Sequence, residues 1–308
     1  ELLPADVYVR AGRAGSAGFL DEALQARLAA VEGVARVSFT RHDTLRLEGE
    51  RAPVALIARP VSANGAELPR VGATQLPAAG PALWISEAVA DLYGWRPGMT
   101  VQLPLGGRAV ALPVAGVWRD YARQTGAVLL DLAAYRQFTG DLRANDAALG
   151  LAPGASAAAV ARAVTALAPA GALEVSSPAE IRAITLGIFD RTFAVTYLLE
   201  AVAVVIGLAG VAASFAALAT ARRREFGMLR HLGVTRREIA AMLAREGALV
   251  AGVGVLGGLL AGGAIGLVLI EVVNRQSFHW SMDLHVPGAS LAVFGATLVA
   301  LAALAAVG

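Results

Sequence analysis

Two residue types are missing from these 308 residues: there is no cysteine, and all 26 basic side chains are arginine, so there is no lysine. Without cysteine the chain holds no disulfide, no thiolate metal site and no cysteine nucleophile. Without lysine it has no P-loop lysine to place on the β/γ-phosphates of a nucleotide and no Schiff-base nucleophile. It therefore does not hydrolyse ATP by the P-loop route. Charge is scarce as well: 16% of residues are charged against 56% apolar, and mean hydropathy is +0.60. No G-x-S-x-G, H-E-x-x-H or N-x-[ST] pattern occurs.

The apolar residues are unevenly placed. Residues 1–192 carry 18 arginines and 18 acids, scattered as on a solvated domain, whereas 193–308 carry 8 and 6, in clusters. Between the clusters stand three uncharged runs, Ala201–Ala221, Gly247–Ile270 and Ala289–Gly308. Each reaches about 20 residues, the length a helix needs to cross roughly 30 Å of hydrocarbon. They predict spans at about 193–221, 246–270 and 289–308. Arg222, Arg223, Arg224, Arg230, Arg236, Arg237 and Arg245 lie in the first connection, and only Arg275 lies in the second. The positive-inside rule places 222–245 in the cytoplasm and 1–192 beyond the membrane. The arginines thus report topology, and a nucleic-acid footprint is not indicated. The chain opens on Glu1 without a targeting segment, so a first span is expected to precede it.

The external half reads as α+β. Asp6–Ala11 alternates as a strand, Phe19–Val31 carries a helical stripe, and Val34–Leu47 and Pro53–Val61 read as strands. Ala82–Tyr93 is a strand entering a helix, and Thr100–Leu105, Arg108–Trp118 and Ala127–Leu130 are short strands. After Ala144 a strand at Ala147–Leu151, a Ser156-capped helix and a strand at Leu173–Ser176 repeat the first type. This predicts a domain at 1–185 in which two α/β units flank a β-rich insertion at about 62–140. His42 beside Asp43 reads as a solvated pair, Trp84, Trp95 and Trp118 as core or turn anchors, and Asp120-Tyr121 as either a turn or a ligand-facing pair.

Ser177-Pro178-Ala179-Glu180 combines an N-cap, a proline at the first helical position and a capping-box glutamate. No proline follows until Pro287, so one helix from Pro178 to about Arg224 is predicted, on the order of 65–70 Å long. Glu200 sits near its membrane boundary as an interface residue. Phe226, Leu229 and Leu232 then share one face of a short helix ending at Gly233, and Thr235-Arg236-Arg237-Glu238 is a second capping box. The arginine-rimmed helix reads as either a surface helix or a docking element for a cytoplasmic partner. Gly254, Gly258, Gly262 and Gly266 in the next span form a smooth ridge suited to helix packing. Gly252-x-Gly254-x-x-Gly257 matches a dinucleotide fingerprint by letter, but no strand precedes it. His279, Asp283 and His285 lack the context of a metal site.

The run Arg222-Arg-Arg-Glu-Phe-Gly-Met-Leu-Arg-His-Leu-Gly-Val-Thr-Arg-Arg-Glu-Ile239, between one apolar span and a glycine-rich one, resembles the signature of FtsX/MacB/LolC-type permeases. Leu83–Gly98, Val114–Tyr121 and Val128–Tyr135 resemble their extracytoplasmic core domain, and Phe189–Leu199 its re-entry into the membrane. The resemblance implies a type VII ABC transporter permease of the bacterial inner membrane. Its core domain would have a porter-like α/β part and an inserted β-rich part, joined to an FtsX-like bundle at 186–308 whose first span is absent here. It implies no catalytic residue, metal or directly bound cofactor. A separate ATPase subunit using ATP-Mg would dock on a coupling helix carried by Arg224, Glu225, Phe226, Gly227, Met228, Leu229, Arg230, His231, Leu232 and Gly233. Implied partners are that ATPase, a second permease copy or homologous half, and the lipid bilayer, with a periplasmic adaptor, lipoprotein or hydrolase as further candidates. Two functions fit the resemblance: export or lipoprotein/lipid extraction by mechanotransmission, and a non-transporting regulator of an envelope partner such as a cell-wall hydrolase. An intramembrane enzyme using Glu200, Glu246 or Glu271 lacks any paired catalytic partner.

Overall fold

The computed structural model describes residues 5–12, 18–47, 51–169 and 171–307. Glu1 and Gly308, which bound the expected first and last segments, fall outside these. The chain forms two compact units, one comprising Glu1–Thr185 with Asn274–Ser281, the other Leu186–Val273 with Met282–Gly308.

The first unit is built on a ten-stranded mixed sheet. Its elements run β1 (Val7–Ala11), α1 (Glu22–Ala29), β2 (Val34–Leu45), β3 (Val54–Arg59), β4 (Arg70–Val71), β5 (Leu83–Ser86) and α2 (Glu87–Tyr93). There follow β6 (Thr100–Leu105), β7 (Arg108–Trp118), β8 (Ala127–Asp131), α3 (Leu132–Thr139), β9 (Asp146–Leu151), α4 (Ala157–Thr165) and β10 (Leu173–Ser176). The strand order is β10-β1-β9-β2-β3-β8-β5-β7-β4, with β6 paired to β7. The pairs β3–β8 and β5–β7 are parallel and the others antiparallel.

Side-chain alternation sorts the core. In β3, Val54, Leu56 and Ala58 face one layer while Ile57 faces the other. In β5, Leu83 and Ile85 oppose Trp84, and in β8, Val128 and Leu130 oppose Ala127 and Leu129. Strands buried on both faces read as continuous apolar runs, which explains the VALIA, LWI and AVLL segments. A third cluster packs α1 and α4 through Leu28, Val160 and Val164 against β1, β9 and β10.

One strand serves both halves. β2 pairs with β9 over residues 34–40 and with β3 over 41–45, and Phe39 at the changeover packs against both adjoining clusters. The expected insertion boundary near 62 is therefore crossed: β3 lies before it yet pairs with β8 inside it. The sequence reading separated them because a boundary in the chain need not be a boundary in the sheet. Helix α3, which the sequence reading did not assign, starts from Asp131, whose carboxylate accepts from the amides of Ala133 and Ala134. The expected helix over 19–31 is shorter, at 22–29, because Leu20 is taken by an isolated bridge to Ala144.

Helix α5 (Pro178–Ala221) is continuous over 44 residues. Its capping box is formed: Glu180 accepts from the Ser177 amide at 2.8 Å, and the Ser177 hydroxyl accepts from the Glu180 amide at 3.2 Å. It ends three residues before the expected Arg224. The second unit continues with α6 (Arg223–His231) and α7 (Arg236–Val268), then a π-helical stretch, Leu269–Asn274. A single turn α8 (Arg275–Phe278) returns the chain to the first unit, and α9 (Gly288–Ala305) closes the second. Among the described residues three helices, Pro178–Ala221, Arg236–Phe278 and Gly288–Ala305, are long and apolar enough to cross a membrane. Only 6%, 0% and 11% of their most apolar stretches are buried. Apolar surface on this scale, left uncovered by protein, is what a lipid environment covers.

Candidate functional site

Helix α6 is a sharply delimited element. At its C-terminal end Gly233 takes φ +96°, a conformation side chains other than glycine rarely adopt. The Val234 amide reaches back to the Leu229 carbonyl at 3.0 Å and the Gly233 amide to Arg230 at 3.1 Å. This is the Schellman arrangement, which satisfies carbonyls left over at a helix end. Two residues on, the Thr235 hydroxyl accepts from the Glu238 amide, and Glu238 accepts from the Thr235 amide at 2.7 Å, so α7 begins with a complete capping box.

The predicted docking residues divide by exposure. Phe226 is half-buried against Phe215, Leu243 and Ala306, with Ile239 beside it. It anchors α6 to its own helices. Gly227 and Leu229 are half-buried. Met228 and Leu232 are 63% and 81% exposed, and Arg224, Glu225, Arg230, His231 and Gly233 are exposed around them. At the start of the turn Arg222 lies 3.6 Å from Glu246 of α7 and 3.9 Å from Glu225. The element is thus an apolar tip in a cationic rim, fixed by one aromatic anchor and one ion pair.

The glycine ridge packs no helix of the described chain. A Cβ at Gly254, Gly258, Gly262 or Gly266 would meet nothing within 4 Å, so these residues bring no helix of the described chain close. The close contact of α7 with α9 is made elsewhere. A Cβ at Gly247 would stand 2.7 Å from Ala306 Cβ, and one at Gly295 would stand 3.0 Å from Val255 Cγ1. Four-residue spacing drew attention to the ridge, while two glycines without any repeat carry the packing.

The remaining sequence candidates are structural. Trp84 is fully buried, Trp118 lies in the same cluster, and Trp95 packs on Tyr93 with ring centroids 5.5 Å apart. Asp120 accepts from the Ala122 amide and pairs with Arg123 at 2.9 Å, which is the turn role. Among the described residues no group of three or more His, Asp or Glu could hold a metal ion. His42 is a partner of Asp146 at 2.9 Å rather than a free solvated pair with Asp43. Burial works to raise the Asp146 carboxyl, but His42 and Arg10 outweigh it and hold the group below its ordinary value. A polar knot missed by the sequence reading surrounds it. Asn145 Oδ1 accepts from Arg41 Nη1 at 2.9 Å and from the His42 amide at 2.8 Å, and its Nδ2 donates to Gly18. No motif marks such a knot, because its members come from distant strands.

Residues 197–308 match the family model described as the FtsX-like permease C-terminal domain. The chain is 32% identical over 194 residues to an uncharacterized ABC transporter permease protein of Mycobacterium tuberculosis; the match takes in 62% of this chain and 23% of that protein. The chain thus spans about a quarter of the length of the curated relative it matches. Among solved structures it is similar to the extracellular domain of the noncanonic ABC-type transporter YknZ from Gram-positive bacteria. That match has 14% identity, covers 56% of this chain and 99% of the other, and has a TM-score of 0.38. It is also similar to the periplasmic region of MacB from Actinobacillus actinomycetemcomitans, with 10% identity, 59% and 92% coverage and a TM-score of 0.41.

Proposed function

We propose that this chain, an FtsX/MacB-like permease with its FtsX-like domain at 197–308, is the non-catalytic membrane subunit of a bacterial ABC transporter, coupling ATP hydrolysis in a partner subunit to movement of its external domain. The observation that carries the reading is α6 itself. An exposed Met228–Leu232 tip, ringed by arginines, is closed at its C-terminal end by the Schellman stop at Gly233 and pinned by Phe226 and, at its start, by the Arg222–Glu246 pair. A helix fixed at both ends transmits displacement, whereas a frayed one would absorb it. Its apolar centre and charged rim are the pattern of a protein interface.

The rest of the chain supports the reading. Arginines flanking α6 orient it to the cytoplasm of the inner membrane, where an ATPase meets its nucleotide. Helix α5 is unbroken from Pro178 to Ala221, about 65 Å of stiff rod, and conveys motion to the sheet domain that precedes it. These residues hold no lysine for a P-loop, which is in keeping with ATP-Mg chemistry carried by a partner subunit. The open ridge of Gly254, Gly258, Gly262 and Gly266 offers a close-packing face for a second permease copy or homologous half. Movement of the external domain would act on cargo by mechanotransmission, as in export or in lipoprotein or lipid extraction.

The test is to replace both tip residues, Met228→Asp with Leu232→Asp, and to measure co-purification of the co-expressed ABC ATPase. The reading expects the complex to be lost while the permease remains folded. Retention of the complex would overturn it. Leu229→Asp is a less clean probe, because Leu229 is half-buried.

A further inference from the structure

The stretch that leaves the second apolar helix does not end in an unstructured loop. Asn274–Ser281, flanked in the chain by α7 and α9, belongs to the compact unit of residues 1–185. Its contacts are specific. The Ser281 hydroxyl donates to Glu87 Oε1 at 2.6 Å, and the Ser281 amide donates to Glu87 Oε2 at 3.1 Å. One turn further along α2, Asp91 pairs with His279 Nδ1. Glu87 is also within 4.0 Å of Arg119 at the end of β7.

The segment is shaped to present these groups. Asn274 clamps Trp280 twice, donating to its carbonyl at 3.1 Å and accepting from its indole Nε1 at 2.9 Å. Trp280 stacks on Phe278 with centroids 5.6 Å apart and meets the edge of Tyr121 at 5.1 Å. Between them His279 sits at φ +55°, the only non-glycine among the described residues with positive φ. That conformation is uncommon for a side-chain-bearing residue and persists where surrounding contacts enforce it. The preceding π-helical stretch, Leu269–Asn274, changes the rotation of the chain just before the clamp. π-helical insertions recur at functional sites.

We propose that Glu87 and Asp91 form a docking site for the loop between the second and third apolar helices, making Asn274–Ser281 a second tether on the external domain besides α5. An acid pair one helical turn apart receives a hydroxyl, an amide and an imidazole, while Tyr121 and Phe278 enclose the indole. A cleft of about 520 Å³ is walled by Trp95, Arg96 and Pro97 on one side and by His279, Trp280 and Ser281 on the other. Undocking the loop removes one wall, so the cleft exists only in the tethered state. Docking itself stands without the permease reading; the tether's mechanical role rests on it.

Hydrogen exchange on the full chain in lipid nanodiscs tests the docking, with Glu87→Gln/Asp91→Asn from the domain side and Ser281→Ala/Trp280→Ala from the loop side. Both pairs should speed exchange of the 275–281 amides at least tenfold and leave the β6–β7 amides unchanged. Unchanged exchange at 275–281 in the loop-side pair, which leaves the sheet intact, would overturn the docking site. The mechanical role is read on the complex: all variants should retain the ATPase, while ATP-driven transport falls. Transport at the wild-type rate in undocked variants would overturn the tether. Loss of the ATPase in the α6-tip variants alone concerns the permease reading and is separately visible.

Discussion

Gly247 and Ala306 lie so close that a methyl group on the glycine would stand 2.7 Å from the alanine's Cβ and 3.3 Å from the Ala302 carbonyl oxygen. The contact fixes where α7 and α9 cross, just beside the cluster of Phe215, Leu243 and Ala306 that seats Phe226. The crossing and the α6 anchor are therefore one structural assembly, and disturbing the first should loosen the second.

Gly247→Leu is expected to destabilise the helical unit by about 1–3 kcal/mol through overpacking. Gly258→Ala should be neutral or gain up to about 1 kcal/mol from helix propensity, since nothing stands within 4 Å of that position. Thermal unfolding of the detergent-solubilised chain checks both. Equal losses at the two sites would show that a helix from another copy already packs on the ridge in the solubilised state.

Asn145 is 6% exposed and supplies the acceptor for both Arg41 and the His42 amide. Asn145→Ala leaves those donors without it, at a cost of about 2–4 kcal/mol. All four tryptophans, at 84, 95, 118 and 280, belong to the unit that contains Asn145. Intrinsic fluorescence in urea therefore reads this unit, and an unshifted midpoint would contradict the role given to the knot.

Asp141 makes a pH prediction. Burial raises its carboxyl, but hydrogen bonds from the Arg143 side chain and amide and from Arg41 outweigh this and hold it at about 2. A carboxyl depressed from 3.8 in this way stabilises the fold above its unfolded value, and loses that contribution as pH falls through the folded one. Arg143 is half-exposed, so screening limits the effect to on the order of 1 kcal/mol. The stability gap between the wild type and Asp141→Asn should be full at pH 7 and narrow between about pH 4 and 2. A gap independent of pH would show that the loss on substitution is steric.

Topology has a direct probe, because the chain lacks cysteine. Ala63→Cys should react with a membrane-impermeant maleimide on intact spheroplasts, and Met228→Cys should react only after lysis. The reverse pattern would invert the arginine-based orientation.

What was legible in the sequence was local. Ser177 with Glu180 and Thr235 with Glu238 declared their caps by spacing, and both boxes are formed. Gly233 announced a left-handed stop, and β6, β7 and β8 follow alternation and turn residues. The illegible part is non-local. Glu87 and Ser281 are 194 positions apart, and nothing at either position signals the other. Asn145, Gly247 and Gly295 likewise matter through partners on other elements. The glycine ridge shows the converse: a regular spacing describes a surface without saying what covers it. Phe226 was placed with Leu232 on one face by periodicity, yet tertiary packing takes one inward and leaves the other exposed.

Contact between α6 and an ATPase can be captured by site-specific photocross-linking. A photoreactive phenylalanine analogue at Leu232, 81% exposed, is compared with one at Leu284, 54% exposed in the outer loop, in cells co-expressing the ABC ATPase. An ATPase adduct is expected from position 232 and none from 284. No adduct at 232, or equal adducts at both positions, would contradict it.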